Sequence, residues 1–97
     1  MTRQIVWLQE AAREYYEALQ WYANVSPSLS DRLATAVDKT LETIAASPMR
    51  FPVVSNGRRR AGMRRFPNSL IYLVEETRIV VIACFHGKRN PSHWQTR

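Results

Sequence analysis

The stretch SLIYLVEETRIVVIACFH, residues 69–86, is the most regular part of this 97-residue chain. Two apolar runs rich in β-branched and aromatic residues flank the polar triplet EET at 75–77. This pattern predicts two antiparallel strands, 69–74 and 78–86, joined by a tight turn. Because both runs are apolar at successive positions, we expect helices on one face of the sheet and partial cover on the other.

The residues upstream predict one strand and two helices. Residues 3–8 are β-branched and aromatic, as in a short strand. Apolar residues recur at spacings of three and four over 9–24 and again over 29–44, which is the pattern of amphipathic helices. Ser28 and Asp31 resemble a capping box at the start of the second helix. The short connection between the helices predicts an antiparallel hairpin.

A break and a basic strand complete the prediction. Residues 47–57 contain two prolines and an Asn-Gly pair, which interrupt all periodicity, and residues 58–65 then read as a strand. The expected fold is a single α+β domain over residues 1–97. Its elements follow the order β-α-α-β-β-β, and an antiparallel sheet that includes the first strand packs against the helix hairpin.

Composition restricts the kind of protein. Hydrophobic residues make up 45% of the chain, as in globular proteins. The lone Cys84 cannot form an internal disulfide, and no signal peptide or membrane-spanning run is recognisable, so we expect a reduced, cytoplasmic protein. Cys84, His86 and His93 match the spacing of no common zinc module. We therefore expect neither a metal nor a cofactor.

Charge is concentrated in the second half of the chain. Residues 1–49 hold six acids and four bases, whereas residues 50–97 hold ten bases and two acids. This asymmetry favours a partner with negative charge, either nucleic acid or an acidic protein surface, and does not choose between them.

The segment RRRAGMRR, residues 58–65, carries five arginines. In a continuous strand, Arg58, Arg60 and Arg64 would share one face and Arg65 would lie on the other. Planar guanidinium groups suit phosphates or carboxylates, which predicts a binding surface. The alternative is a charged edge strand that prevents aggregation.

The segment FHGKRNPSHWQTR, residues 85–97, is the second candidate site. His86 beside Lys88 and Arg89 could act as acid or base in RNA cleavage, or could simply end a strand before a solvated basic turn. Trp94 either docks on the protein or contacts a partner. Tyr16 and Trp21 lie outside the apolar stripe of the first helix and are candidates for partner contact.

The order of these segments resembles the RelE/ParE superfamily of bacterial toxins from toxin-antitoxin modules. The resemblance spans essentially the whole chain and is carried by AAREYYEALQWYA (11–23), by the core 63–89, and by the step from His86 to Arg89. The resemblance implies one of two activities. RelE-type members cut messenger RNA on the ribosome, whereas ParE-type members poison DNA gyrase without being enzymes. Here Ser69 stands where nuclease members carry an arginine, and Trp94 falls near the position of their terminal tyrosine. These departures favour the ParE-like branch.

The resemblance also implies site residues and a partner, an antitoxin whose acidic, partly disordered C-terminal segment wraps the toxin. The residues expected to bind the target are Arg58, Arg60, Arg64, His86, Lys88, Arg89 and Trp94. Those expected to bind the antitoxin are Tyr16, Trp21, Arg58, Arg60 and Arg64. In the alternative, a nuclease acting on ribosome-bound mRNA, the centre would comprise Arg64, Arg65, His86, Lys88 and Arg89. A third possibility is an inactive toxin that retains only antitoxin binding.

Overall fold

A computed structural model describes residues 3–87 and 92–97 of the chain. The elements in chain order are β1 Gln4–Trp7, α1 Gln9–Val25, α2 Pro27–Ala46, β2 Val53–Ser55, β3 Arg58–Gly62, β4 Asn68–Val74, β5 Arg78–His86 and α3 Ser92–Gln95. The predicted α+β fold, with a helix hairpin packed on a sheet, is confirmed.

The five strands form one sheet in the order β1-β5-β4-β3-β2. All neighbours are antiparallel except β1 and β5, which run parallel with Gln4 opposite Arg78. The prediction of a wholly antiparallel sheet is thus corrected at this pair. The parallel pairing arises from β2, a short strand within the segment that the sequence presented as a break. One more reversal of chain direction before β5 makes β5 run the same way as β1.

Three predicted boundaries also change. Asn56 and Gly57, with φ of 47° and 78°, form the tight turn of the β2–β3 hairpin, for which Asn-Gly is the preferred pair. Helix α2 begins at Pro27, a favoured first helical residue, so the predicted capping box lies inside the helix and caps nothing. Strand β3 ends at Gly62 rather than at residue 65.

The main core lies between the helices and one face of the sheet, called here the helix face. Its largest fully buried side chain is Tyr72, whose hydroxyl donates a 2.7 Å hydrogen bond to the Pro48 carbonyl. Around it pack helix residues and strand residues, among them Leu33, Val37, Ile44, Leu70, Ile79 and Val81. Burying an apolar side chain of this size contributes about 1.5–3 kcal/mol.

The other side of the sheet, called here the outer face, carries a smaller apolar cluster of Ile71, Val80, Ile82, Ala83 and Phe85. Trp94 of α3 covers this cluster, which confirms the expectation that both faces are at least partly covered. No helix among the described residues is both long enough and apolar enough to cross a membrane.

Candidate functional site

The arginines of β3 divide between the two faces of the sheet because a strand alternates its side chains. Arg59 lies on the helix face, where its Nη1 donates to the carbonyls of Met49 (3.1 Å) and Phe51 (2.6 Å). Arg59 therefore fixes the position of the loop before β2. Arg58 and Arg60 lie on the outer face, as the sequence predicted for this pair.

The two outer-face arginines have different surroundings. Arg58 is half-buried and donates to the backbone carbonyls of Asn56 (3.0 Å) and Arg97. Its Nε is buried and has no partner among the described residues. Arg60 is exposed, and its Nε donates a 3.0 Å hydrogen bond to the Ser69 hydroxyl. Of the two, only Arg60 presents its guanidinium broadly to a partner.

Arg64 and Arg65 do not belong to the strand that carries Arg58 and Arg60. Because β3 ends at Gly62, both lie in the β3–β4 turn, where both are exposed. Arg65 has a φ of 72°, a left-handed conformation that is unusual for a residue with a side chain. The predicted shared face of Arg58, Arg60 and Arg64 is therefore wrong for Arg64.

His86 ends β5 on the helix face, opposite Asn68 of β4. The preceding residue, Phe85, points to the outer face and packs against Trp94. His86 and Arg60 consequently lie on opposite faces of the sheet. Lys88 and Arg89, the other cations predicted for this site, fall outside the described residues.

A pocket of about 620 Å³ lies between α1 and the ends of β4 and β5, and it is called here the α1 pocket. Its polar lining includes Glu14, Glu17, Tyr22, Asn68 and His86. The Tyr22 hydroxyl donates to the Asn68 side-chain oxygen at 3.3 Å, and burial raises the pKa of Tyr22. Both carboxylates of this lining are ion-paired, Glu14 with Arg97 and Glu17 with Arg13.

Cys84 also borders the α1 pocket but is not a reactive thiol. Burial, with a further contribution from the Glu14 carboxylate, raises the pKa of Cys84 to about 12. The thiol is therefore protonated near neutral pH and is a poor nucleophile or metal ligand. Among residues 3–87 and 92–97, no cluster of three or more metal-ligating side chains is found, and the side chain of His93 lies outside the description.

Trp94 docks on the protein, which decides between the two alternatives for this residue. Its side chain is 4% exposed and meets Phe85 edge to face, with ring centroids 6.0 Å apart. The indole Nε1 is buried without a partner among the described residues. In this arrangement Trp94 holds α3 against the sheet, and its ring is not presented to a target.

An ion pair between Glu14 and Arg97 secures the same segment and was not anticipated from the sequence. The Arg97 guanidinium binds both carboxylate oxygens, at 2.8 and 3.0 Å, and also donates to the Ile82 carbonyl at 3.0 Å. Glu14 in turn accepts the Cys84 backbone N–H at 3.2 Å. Both groups thus occupy the edge of β5 beyond the end of β1. The one available signal was a carboxylate on the buried side of α1, between Ala11 and Ala18.

The two aromatic residues predicted to face a partner are exposed. Tyr16 is 61% exposed and Trp21 is 63% exposed, and Trp21 stands at the rim of the α1 pocket. Large exposed rings on a surface helix are a common feature of interaction surfaces.

The described members of the predicted nuclease set do not line a common pocket. His86 belongs to the α1 pocket, whereas Arg64 and Arg65 line a separate pocket beside α2. A general acid or base needs the cations within reach of the same phosphate. Among the described residues, His86 does not share a pocket with Arg64 and Arg65.

Comparison with known proteins identifies the family. Residues 5–91 match a family model described as the ParE toxin of the type II toxin-antitoxin system parDE. A solved structure, titled the chromosomal ParDE TA system from P. aeruginosa, superimposes with a TM-score of 0.76 at 15% identity, over 88% of this chain and 96% of that one. A search of curated proteins gave no significant match. Since the family model covers most of its length, this chain belongs to the ParE toxin family of type II toxin-antitoxin systems.

Proposed function

We propose that this protein inhibits DNA gyrase by binding it, that it catalyses no reaction, and that a cognate antitoxin neutralises it. We place this action in the cytoplasm. The observation that carries the proposal is the separation of His86 from Arg60, because His86 lies on the helix face and Arg60 on the outer face. Basic side chains that are spread over two faces suit an extended binding surface better than a catalytic centre.

The target surface is proposed to include Arg60 and the turn that follows His86. A methyl group placed on Gly87 would lie 3.2 Å from the Pro67 carbonyl and 3.7 Å from Nη2 of Arg60, so the turn runs directly beside this guanidinium. Lys88 and Arg89 follow in sequence and belong to the same proposal. Trp94 contributes by docking α3, whereas Tyr16 and Trp21 are proposed to contact the antitoxin.

Cleavage of mRNA is the second candidate, and one observation favours it. Arg60 reaches across to Ser69. A guanidinium therefore stands over the position at which nuclease members of the superfamily are expected to carry an arginine. If the protein is a nuclease, Arg60 would take that role.

Induction of the protein in bacteria without antitoxin tests the proposal. We expect thymidine incorporation to fall within the first minutes while methionine incorporation continues. An early fall of methionine incorporation that Arg60→Ala abolishes would establish the nuclease instead. Arg13→Ala is the matched control, because Arg13 is an exposed arginine on α1 whose one ion pair within the described part of the chain is with Glu17. It is expected to leave either response unchanged.

A further inference from the structure

The charges of the sheet are unequally distributed between its two ends. From the start of β3 to the end of β5, the acidic residues are Glu75 and Glu76, and both lie in the β4–β5 turn. The opposite end of the sheet holds the β3–β4 turn and the end of β5, and it is called here the basic end. Arg64 and Arg65 lie in that turn, and Arg60 lies on β3 just before it; all three are exposed. Such a field attracts an anionic partner to the basic end.

Arg60 is held in a fixed orientation at the basic end. Its Nε donates a 3.0 Å hydrogen bond to the hydroxyl of Ser69, a residue that is only 2% exposed. This contact uses one of the five N–H donors of the guanidinium. Among residues 3–87 and 92–97, the two Nη groups of Arg60 have no hydrogen-bond acceptor. They therefore remain available to an acceptor with two oxygens, such as a phosphate.

Gly87 leaves space beside this guanidinium. Its backbone N–H donates to the Pro67 carbonyl at 2.9 Å, and a methyl group placed on Gly87 would lie 3.7 Å from Nη2 of Arg60. A longer side chain at this position would reach the guanidinium and fill the space next to it. Glycine thus permits a ligand to approach Arg60 closely.

The positions of the exposed apolar side chains distinguish between the classes of anionic partner. In the described part of the chain, the large ones lie on α1, on β2 and in the loop before β2, and none lies on β3, β4, β5 or the turns that join them. Protein interfaces have an apolar core, whereas DNA interfaces are more polar and strongly positive. Single-stranded nucleic acid stacks its bases on exposed rings, but Phe85 and Trp94 of the outer face are buried. The basic end therefore fits the backbone of double-stranded DNA best.

We propose that Arg60, oriented by Ser69, binds a backbone phosphate of double-stranded DNA, and that the exposed arginines of the β3–β4 turn add long-range attraction. The proposal rests on the proposed function in one respect, because it takes this DNA to be the segment on which gyrase acts. The protein then binds the complex of gyrase with DNA more tightly than gyrase alone. Arg58 and Arg59 are excluded from this role, since both are engaged with backbone carbonyls.

Fluorescence anisotropy of a short labelled DNA duplex, titrated with the protein at several salt concentrations, tests the site. Arg60→Ala should weaken binding about fivefold or more and make the dependence of log Kd on log salt concentration shallower by about 1, since one phosphate contact is lost. Arg13→Ala removes the same charge from α1 and should change the affinity by less than about twofold. Equal effects of the two substitutions would show that only net charge matters and would overturn the proposal.

Ser69→Ala separates an oriented guanidinium from a diffuse charge. This variant keeps every charge and removes the acceptor that orients Arg60. Duplex binding should weaken about threefold, because the released side chain must be ordered again on binding. Wild-type affinity of Ser69→Ala would overturn the proposal, and so would tighter binding of single-stranded DNA or polyglutamate that responds to the same substitutions. Circular dichroism of each variant verifies that it folds.

Binding to purified gyrase, measured with and without a bound duplex, separates this proposal from the proposed function. The wild type should bind gyrase with the duplex at least about fivefold more tightly than gyrase alone, and Arg60→Ala should lose most of this preference. If the protein inhibits supercoiling but binds gyrase equally with and without DNA, the DNA contact is wrong, although inhibition stands. If the duplex titrations give the expected results while supercoiling is undisturbed, inhibition of gyrase is wrong and the DNA site stands.

Discussion

The ion pair between Glu14 and Arg97 gives the most direct test of how residues 92–97 are held. Both side chains are 11% exposed, and the guanidinium makes three hydrogen bonds. Arg97→Ala leaves the carboxylate buried with one remaining donor among residues 3–87 and 92–97, the Cys84 N–H. It also removes the donor to the Ile82 carbonyl.

Removing one partner of a buried ion pair costs about 3–5 kcal/mol, because the other charge stays buried. Water can reach Glu14 once residues 92–97 loosen, so we expect the lower end, about 3 kcal/mol. For a domain of this size such a loss lowers the melting temperature by more than about 10 °C. Urea denaturation at neutral pH measures it as a shift of the midpoint with an unchanged slope.

Two comparisons sharpen this prediction. Arg13→Ala breaks an ion pair of the same type whose side chains are 65% and 58% exposed, and it should cost about 0.5 kcal/mol or less. In a Glu14→Ala background, Arg97→Ala should cost under about 1 kcal/mol, because no buried carboxylate remains. Equal costs of Arg97→Ala in both backgrounds would refute the reasoning.

Three further predictions concern single residues. Arg65→Gly should stabilise the fold by about 0.5–1 kcal/mol in urea denaturation, because glycine adopts the φ of 72° without strain, whereas Arg64→Gly, at a position without positive φ, should destabilise it. Trp94→Ala should cost about 3 kcal/mol and Trp94→Phe clearly less, since the buried Nε1 has no partner among the described residues; equal losses would contradict the packing role. The raised pKa of Cys84 predicts that stability falls as pH rises from 9.0 to about 12, because the unfolded thiol ionises first. Cys84→Ala should show a shallower alkaline decline over the same range, and parallel curves would show that the thiol is not the cause.

Local patterns in the sequence were sufficient for the helix hairpin and the β4–β5 hairpin. The 3.6-residue period of α1 and α2 and the EET turn between two apolar runs are signals that neighbouring residues carry alone. Exposure of Tyr16 and Trp21 also followed from their place outside the apolar stripe.

The errors came from short elements and distant contacts. Strand β2 has three residues, too few to show a period, and without it the sequence predicts an antiparallel sheet with no parallel pair. The Asn56-Gly57 pair is a usable hairpin signal, but a three-residue strand before it is too short to show that the pair joins two strands. A strand that extends to residue 65 places Arg64 on one face with Arg60, so the sequence does not predict the pocket that Arg64 lines beside α2.

The contact between Glu14 and Arg97 joins residues 83 positions apart, and no local pattern specifies such a partner. The same limit applies to the separation of His86 from Arg60. Their faces follow from the register of β3, β4 and β5, which the sequence does not state. The residues of the candidate site were therefore predictable from the sequence, whereas their positions relative to one another were only partly predictable.

DNA supercoiling by purified gyrase, measured with increasing amounts of the purified protein, tests the central claim most directly. A parallel reaction supplies ribosomes and messenger RNA. The account predicts that supercoiling stops at stoichiometric amounts of protein, that Arg60→Glu weakens this inhibition, and that the messenger RNA stays intact. Undisturbed supercoiling together with cleaved messenger RNA would contradict it.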